Sequence, residues 1–309
     1  MKILNEQLNL EATGLTTLTA ILWGGNTVSI KLGLMGLPPL ALAAARFILG
    51  GVVVSLYALL KKIPLRLNKG QAVSLFKLVL LFFVQIYLLN GGTRLTLAAR
   101  ATVFISTYPF FTTLFANFFI PGDKLTRAKL LGILLSFSGI FLVFAESFSL
   151  GNLQLIPGDL MVLGSAVLLG ARQVYTKRLT QAVHPVPLLL WQAILSVPVF
   201  IAVSALLEGG YAYRLGARVA AAILYQGIVV AGACFLVQTH LIRRYCASSL
   251  AVFGFLTPLS GVILSGLLLG ETVSPGLIFS VLLVGAGIAV VNLRSRKSAQ
   301  PDDTHLGNK

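Results

Sequence analysis

Two arginines, Arg46 and Arg172, stand inside long apolar runs of this 309-residue chain. A charged side chain at a helix centre in lipid costs roughly 2.5–3.5 kcal/mol on insertion scales, so each is a functional candidate by default. Arg46 lies about eight residues into its run, roughly 12 Å below a membrane boundary at 1.5 Å per residue. Its guanidinium can hold a carboxylate or phosphate bidentately. It can equally snorkel, or cap a broken helix from within a bundle. Arg172, five residues before Lys177 at the end of its run, has the same two readings, snorkelling being the simpler. Trp23, Asn26, Gln85, Tyr87, Tyr108, Gln226 and Thr257 also fall near the middle of apolar runs. Singly such residues hydrogen-bond between helices; as a set they predict the lining of a binding cavity. Pro109 and Pro258 each remove a backbone donor in mid-run and are candidate hinges, with plain helix curvature as the alternative.

Other chemistry is missing from the pattern. All nine acidic residues fall at or beyond the ends of the apolar runs, which predicts no carboxylate relay inside a bundle. The chain has no Walker A motif, no HExxH and no Ser/His/Asp arrangement. Cys234 and Cys246 lack CxxC or metal-ligand spacing and read as packing residues. No catalytic residue, metal or cofactor is expected, which leaves binding and movement of a small molecule.

The elements that position these residues follow from composition. The chain is 57% hydrophobic and 11% charged, with a mean hydropathy of +0.91, against roughly 25% charge in soluble domains. Apolar runs of about 20 residues select membrane-spanning helices. We count ten: 15–35, 39–60, 72–91, 97–119, 128–146, 157–177, 187–207, 218–240, 248–269 and 276–293. The net charge of +15 sits at the ends of these runs, so it describes topology and not a nucleic-acid surface. Lys61, Lys62, Arg66 and Lys69, Lys124, Arg127 and Lys129, Lys177 and Arg178, Arg243 and Arg244, and Arg294, Arg296 and Lys297 all follow even-numbered runs. The positive-inside rule then puts residues 1–14, the tail 294–309 and both termini in the cytoplasm. The tail composition predicts disorder.

The chain is also duplicated. AILWGGNTVSIK (20–31) aligns with AVLLGARQVYTK (166–177), and RFIL (46–49) with QAIL (192–195), which pairs Arg46 with Gln192. Pro109, Asp123 and Gly139 match Pro258, Glu271 and Gly287. Two repeats, 15–146 and 157–293, of five runs each must enter the membrane from opposite sides. The predicted fold is therefore an all-α integral membrane protein of ten transmembrane helices, arranged as two inverted five-helix repeats. That architecture is typical of secondary transporters with a midplane site.

The Trp23-Gly24-x-Asn26 motif, the Ala-rich lead into Arg46-Phe47, and the two Pro…acid…Gly series resemble the EamA domain of the drug/metabolite transporter superfamily. The resemblance spans about residues 13–293. It implies an inner-membrane carrier, commonly an exporter of small metabolites. Asp123 departs from the more usual Glu, and Gln192 from the Arg of the first copy. The expectation is a plasma-membrane secondary exporter of small organic metabolites such as amino acids. Its partners would be the substrate, the lipid bilayer and no nucleic acid, with homodimerisation left open. The alternatives are a membrane enzyme acting on lipid-linked substrates and a non-transporting assembly subunit.

Overall fold

The computed structural model describes residues 9–66, 69–120, 125–149, 151–180, 183–245 and 252–295. The described chain is helical throughout, with short connections and no β-strand among those residues. Helix α1 (Leu10–Gly33) begins five residues earlier than the apolar run, because the Asn9 side chain accepts the Ala12 N–H at 2.8 Å and caps it. Then come α2 (Pro39–Leu60), α3 (Lys69–Leu95), α4 (Ala98–Ile105), α5 (Tyr108–Phe119) and α6 (Arg127–Ser149). After a 3₁₀ turn at Leu153–Leu155 come α7 (Ile156–Leu179), α8 (Pro185–Leu207) and α9 (Ala217–Leu224). Helix α9 continues through a π-helical stretch, Tyr225–Cys234, into α10 (Phe235–Arg244). A 3₁₀ turn at Val252–Phe255 leads into α11 (Leu256–Leu269), and α12 (Pro275–Ser295) ends the described chain. Asp123, Cys246 and the predicted disordered tail from Arg296 onward lie outside the described residues.

Among the described residues, six helical segments are long and apolar enough to cross a bilayer: 39–60, 70–95, 129–149, 153–179, 185–207 and 217–238. Large apolar side chains on them such as Phe76, Phe141 and Leu206 are 68–82% exposed. A surface of that kind is stable only against lipid. This is a multi-pass helical membrane protein.

The predicted proline kinks take a different form. The helix ends at Ile105 and restarts at Tyr108, so Pro109 sits in the first turn of α5 and not inside a continuous helix. A mid-helix proline would clash with the carbonyl four residues back; in a first turn its missing N–H costs nothing. Pro258 likewise is the third residue of α11, directly after a 3₁₀ turn. Pro198 lies inside the continuous helix α8.

Packing is organised by helix crossings that use glycine. Helix α6 lies along α12, α3 along α7, α2 along α8, and α1 along α11. A Cβ on Gly139 would fall 2.9 Å from the Ser280 carbonyl, and one on Gly287 2.5 Å from the Gly132 carbonyl. Those two contacts exchange under the repeat alignment, since Gly139 matches Gly287 and Gly132 matches Ser280. The same holds for the crossing of α1 on α11 and of α7 on α5. A Cβ on Gly24 would lie 2.8 Å from the Gly261 nitrogen, and one on Gly170, its equivalent, 2.7 Å from the nitrogen of Thr112, the equivalent of Gly261. Small residues let helices approach closely in lipid, where no hydrophobic drive holds them together.

Candidate functional site

Arg46 is set on α2 facing inward, 8% exposed. Its guanidinium carbon lies 5.0 Å from the Phe47 ring centroid, and its Nε and Nη1 are buried without a hydrogen-bond partner. Arg172, on α7, is half-buried. It stands 4.9 Å from the Phe82 ring centroid, with a buried, unpartnered Nε. Tyr108 is a further close neighbour of Arg172. No carboxylate pairs with either arginine among the described residues.

Four phenylalanines from three helices cluster beside the arginines. Phe47 meets Phe82 edge-on at 4.7 Å and stacks on Phe200 at 5.9 Å, while Phe83 lies 5.2 Å from Phe200. Sequence reading missed Phe82 and Phe200, because apolar residues within apolar runs carry no signal of which way they face. Beside Arg46, Gly227 of the π-helical stretch packs on the Arg46 carbonyl, 3.1 Å from where a Cβ would be. The wide π turn brings the neighbouring Gln226 inward with no exposure; its Nε2 donates to the Ser29 carbonyl at 2.9 Å and its Oε1 is unpartnered.

The remaining candidates divide. Gln85 is buried on α3, donating from Nε2 to Ser165 Oγ at 2.9 Å and leaving Oε1 unpartnered. Asn26 on α1 also has an unpartnered, buried Oδ1. Trp23 is half-buried on the same helix. Thr257 joins α11 to α1 by donating to the Ala20 carbonyl at 3.2 Å, an interhelical bond. Tyr87 is not part of the cluster: it is 38% exposed, on a different face of α3 from Gln85.

Charged groups at one end of the bundle were not expected from sequence. Asp159 in α7 is fully buried and forms an ion pair with Arg100 of α4, so a carboxylate does stand inside the bundle. Thr96 donates to the same carboxylate at 2.6 Å, and Arg100 Nη2 also donates to Ser147 Oγ at 2.6 Å. Glu271 accepts the Ala98 and Ala99 N–H groups at 2.7 and 2.9 Å, capping α4 instead of the helix that follows it in sequence. Glu208 caps α2 in the same way, through the Leu40 and Ala41 N–H groups at 3.0 and 3.2 Å. Lys31 donates to the Thr93, Arg94 and Thr96 carbonyls where α3 ends.

Comparison with known proteins places these features. The model of the EamA-like transporter family matches residues 12–145 and again 156–293. The chain belongs to the EamA-like transporter family. It is 28% identical over 300 residues to the "Probable amino-acid metabolite efflux pump" of Salmonella typhimurium, covering 93% of this chain and 97% of that one. The protein of the same name from Escherichia coli is 26% identical over 299 residues, covering 93% and 97%. The "Uncharacterized transporter YvbV" of Bacillus subtilis is 27% identical over 277 residues, covering 89% and 90%. A solved crystal structure superposes with a TM-score of 0.70 at 21% identity, covering 93% of this chain and 99% of the other, and shares the fold. This EamA-family protein is thus a transporter and not an enzyme, which sets aside the membrane-enzyme alternative. Its cargo is a small molecule and its setting the lipid bilayer.

Proposed function

We propose that this transporter is a secondary exporter of small organic metabolites such as amino acids, working by alternating access between two inverted five-helix repeats. One observation carries the reading: both halves place guanidinium and amide groups with buried atoms whose hydrogen bonds are unmet inside the bundle. Leaving such groups unpaired in a low-dielectric bundle costs on the order of 1–3 kcal/mol each, which favours groups kept free for something that arrives. Arg46, Gln85 and Asn26 come from the first repeat and Arg172 and Gln226 from the second.

The exchange of glycine crossings between repeats supports a two-fold relation in the membrane plane, and ten crossings with both termini cytoplasmic follow from the odd count per repeat and the basic loops. In that topology Asp159, Glu208 and Glu271 all belong to the second repeat, lie at the outer end and bind the first repeat. Parting the halves outward must break those contacts, so this conformation is closed to the outside and loads from the cytoplasm. Pro109 and Pro258, each beside a helix break, are the proposed hinges. The amide oxygens beside the arginines would receive an ammonium group, and the relatives named as amino-acid metabolite efflux pumps point to the same class. Reconstituted into vesicles loaded with mixed amino acids, the protein should accelerate their release. If vesicles loaded with a broad panel of amino acids, nucleobases, sugars and organic acids release none of them, the proposal fails.

A further inference from the structure

We infer that Arg46 and Arg172 form a two-guanidinium clamp for a carboxylate, so that the cargo is a carboxylate-bearing metabolite and the uncharged amide of the same molecule is refused. The inference rests on the proposed transport reading and specifies the cargo's recognised group.

Arg46 and Arg172 each lie against one ring of the Phe47–Phe82 pair, whose centroids are 4.7 Å apart, so two like charges share one part of the bundle interior and repel. Buried ionic groups elsewhere in this protein are neutralised by acids or aligned carbonyls: Arg100 has Asp159, Thr96 and Ser147 around it, and Lys31 has three carbonyls. Arg46 and Arg172 instead lie over the faces of Phe47 and Phe82, with no carboxylate paired to either among the described residues. A cation over a ring face keeps its in-plane N–H groups free, and here these are Nε and Nη1 of Arg46 and Nε of Arg172. Nε and Nη1 of Arg46 point to different sides of its guanidinium, so with Arg172 Nε they are three separate donors, each able to give one charge-assisted hydrogen bond to a carboxylate oxygen. The ring contacts hold both guanidiniums before any ligand is present, so less side-chain entropy remains to be lost on binding. A bound carboxylate would screen the mutual repulsion and satisfy the free donors together.

The repeat alignment shows that the clamp is specific to one side. Arg46 is equivalent to Gln192 and Arg172 to Asn26, so the matching positions of the opposite arm are neutral amides. A two-fold scaffold therefore carries a one-sided charge, which would orient a cargo that has one anionic end.

The test uses purified full-length protein in detergent, with binding read by microscale thermophoresis, and the same protein in vesicles. The probes are L-leucine, L-leucinamide, succinate and inorganic phosphate. L-Leucine should bind more tightly than L-leucinamide by about tenfold to a hundredfold, as one or two charge-assisted hydrogen bonds supply. Arg46→Gln and Arg172→Gln should each remove that preference, and Arg46→Lys should restore part of it. Should these variants unfold, the wild-type comparison of acid and amide still decides. Equal binding of leucine and leucinamide, or no binding by either leucine or succinate, overturns the clamp. So does tighter binding of phosphate than of both carboxylates. Carboxylates that bind with this preference but are not moved by vesicles would uphold the clamp and refute the transport reading.

Discussion

Removing Asp159 should expose how much of the outer closure rests on one buried pair. In Asp159→Ala, Arg100 loses the carboxylate that both its Nε and Nη2 contact and keeps only Ser147 Oγ at 2.6 Å and the Val143 carbonyl at 3.4 Å. Thr96 loses its acceptor as well. Arg100 is 5% exposed, so water cannot replace the lost partner. Stripping one member from a buried pair leaves an uncompensated charge and costs about 3–5 kcal/mol. The Arg100→Met/Asp159→Leu double variant removes both desolvation costs and should recover most of that loss. Asp159→Asn, which keeps an acceptor for Thr96 without the charge, should fall between them. Unfolding of the detergent-solubilised protein by titrated SDS, read by intrinsic fluorescence, gives the three differences and their coupling. A loss below about 1 kcal/mol in Asp159→Ala, or a double variant as unstable as the single, would refute the reasoning from burial. Because the pair joins α4 to α7, Asp159→Ala should also raise the reactivity of a cysteine introduced near Thr96 toward an impermeant thiol reagent.

Three further outcomes follow from the same geometry. Glu271→Ala leaves the Ala98 and Ala99 N–H groups without their acceptor and should cost about 0.5–2 kcal/mol, the range for a lost helix cap; unchanged SDS unfolding would count against the capping role. Gly287→Val forces branched carbon into the Gly132 backbone and should reduce the yield of folded, monodisperse protein, whereas Gly14→Ala, with nothing within 4 Å, should leave size-exclusion profiles as they are. Lys31→Met strips three carbonyls at the end of α3 of their donor and should destabilise by about 1–3 kcal/mol in the same unfolding assay, while Lys77→Met on an exposed stretch should not.

Much of this was legible in the chain itself. Hydropathy marks helices because each apolar run must satisfy its own backbone in lipid. The duplication of Pro109, Asp123 and Gly139 as Pro258, Glu271 and Gly287 is a linear pattern that alignment detects directly. Arg46 stood out because its placement in an apolar run is costly. Tyr87 and Arg172 were harder, since which face of a helix meets lipid depends on neighbours and not on spacing along a uniformly apolar run. Glu271 shows the limit most clearly: alignment pairs it with Asp123, but only the structure shows that it caps a helix of the other repeat.

The sequence by itself determined the helical membrane character, the two EamA-like copies and the short list of polar residues within them. Each of those is a local property, fixed by composition or by repetition over a few dozen residues. Only the tertiary structure decided which polar groups find partners. Arg100 and Arg172 are both arginines in apolar helices, yet packing sets one against Asp159 and leaves the other over Phe82 with a free Nε. That difference separates a lock from a candidate binding site, and it arises because pairing is a relation between helices far apart in the chain.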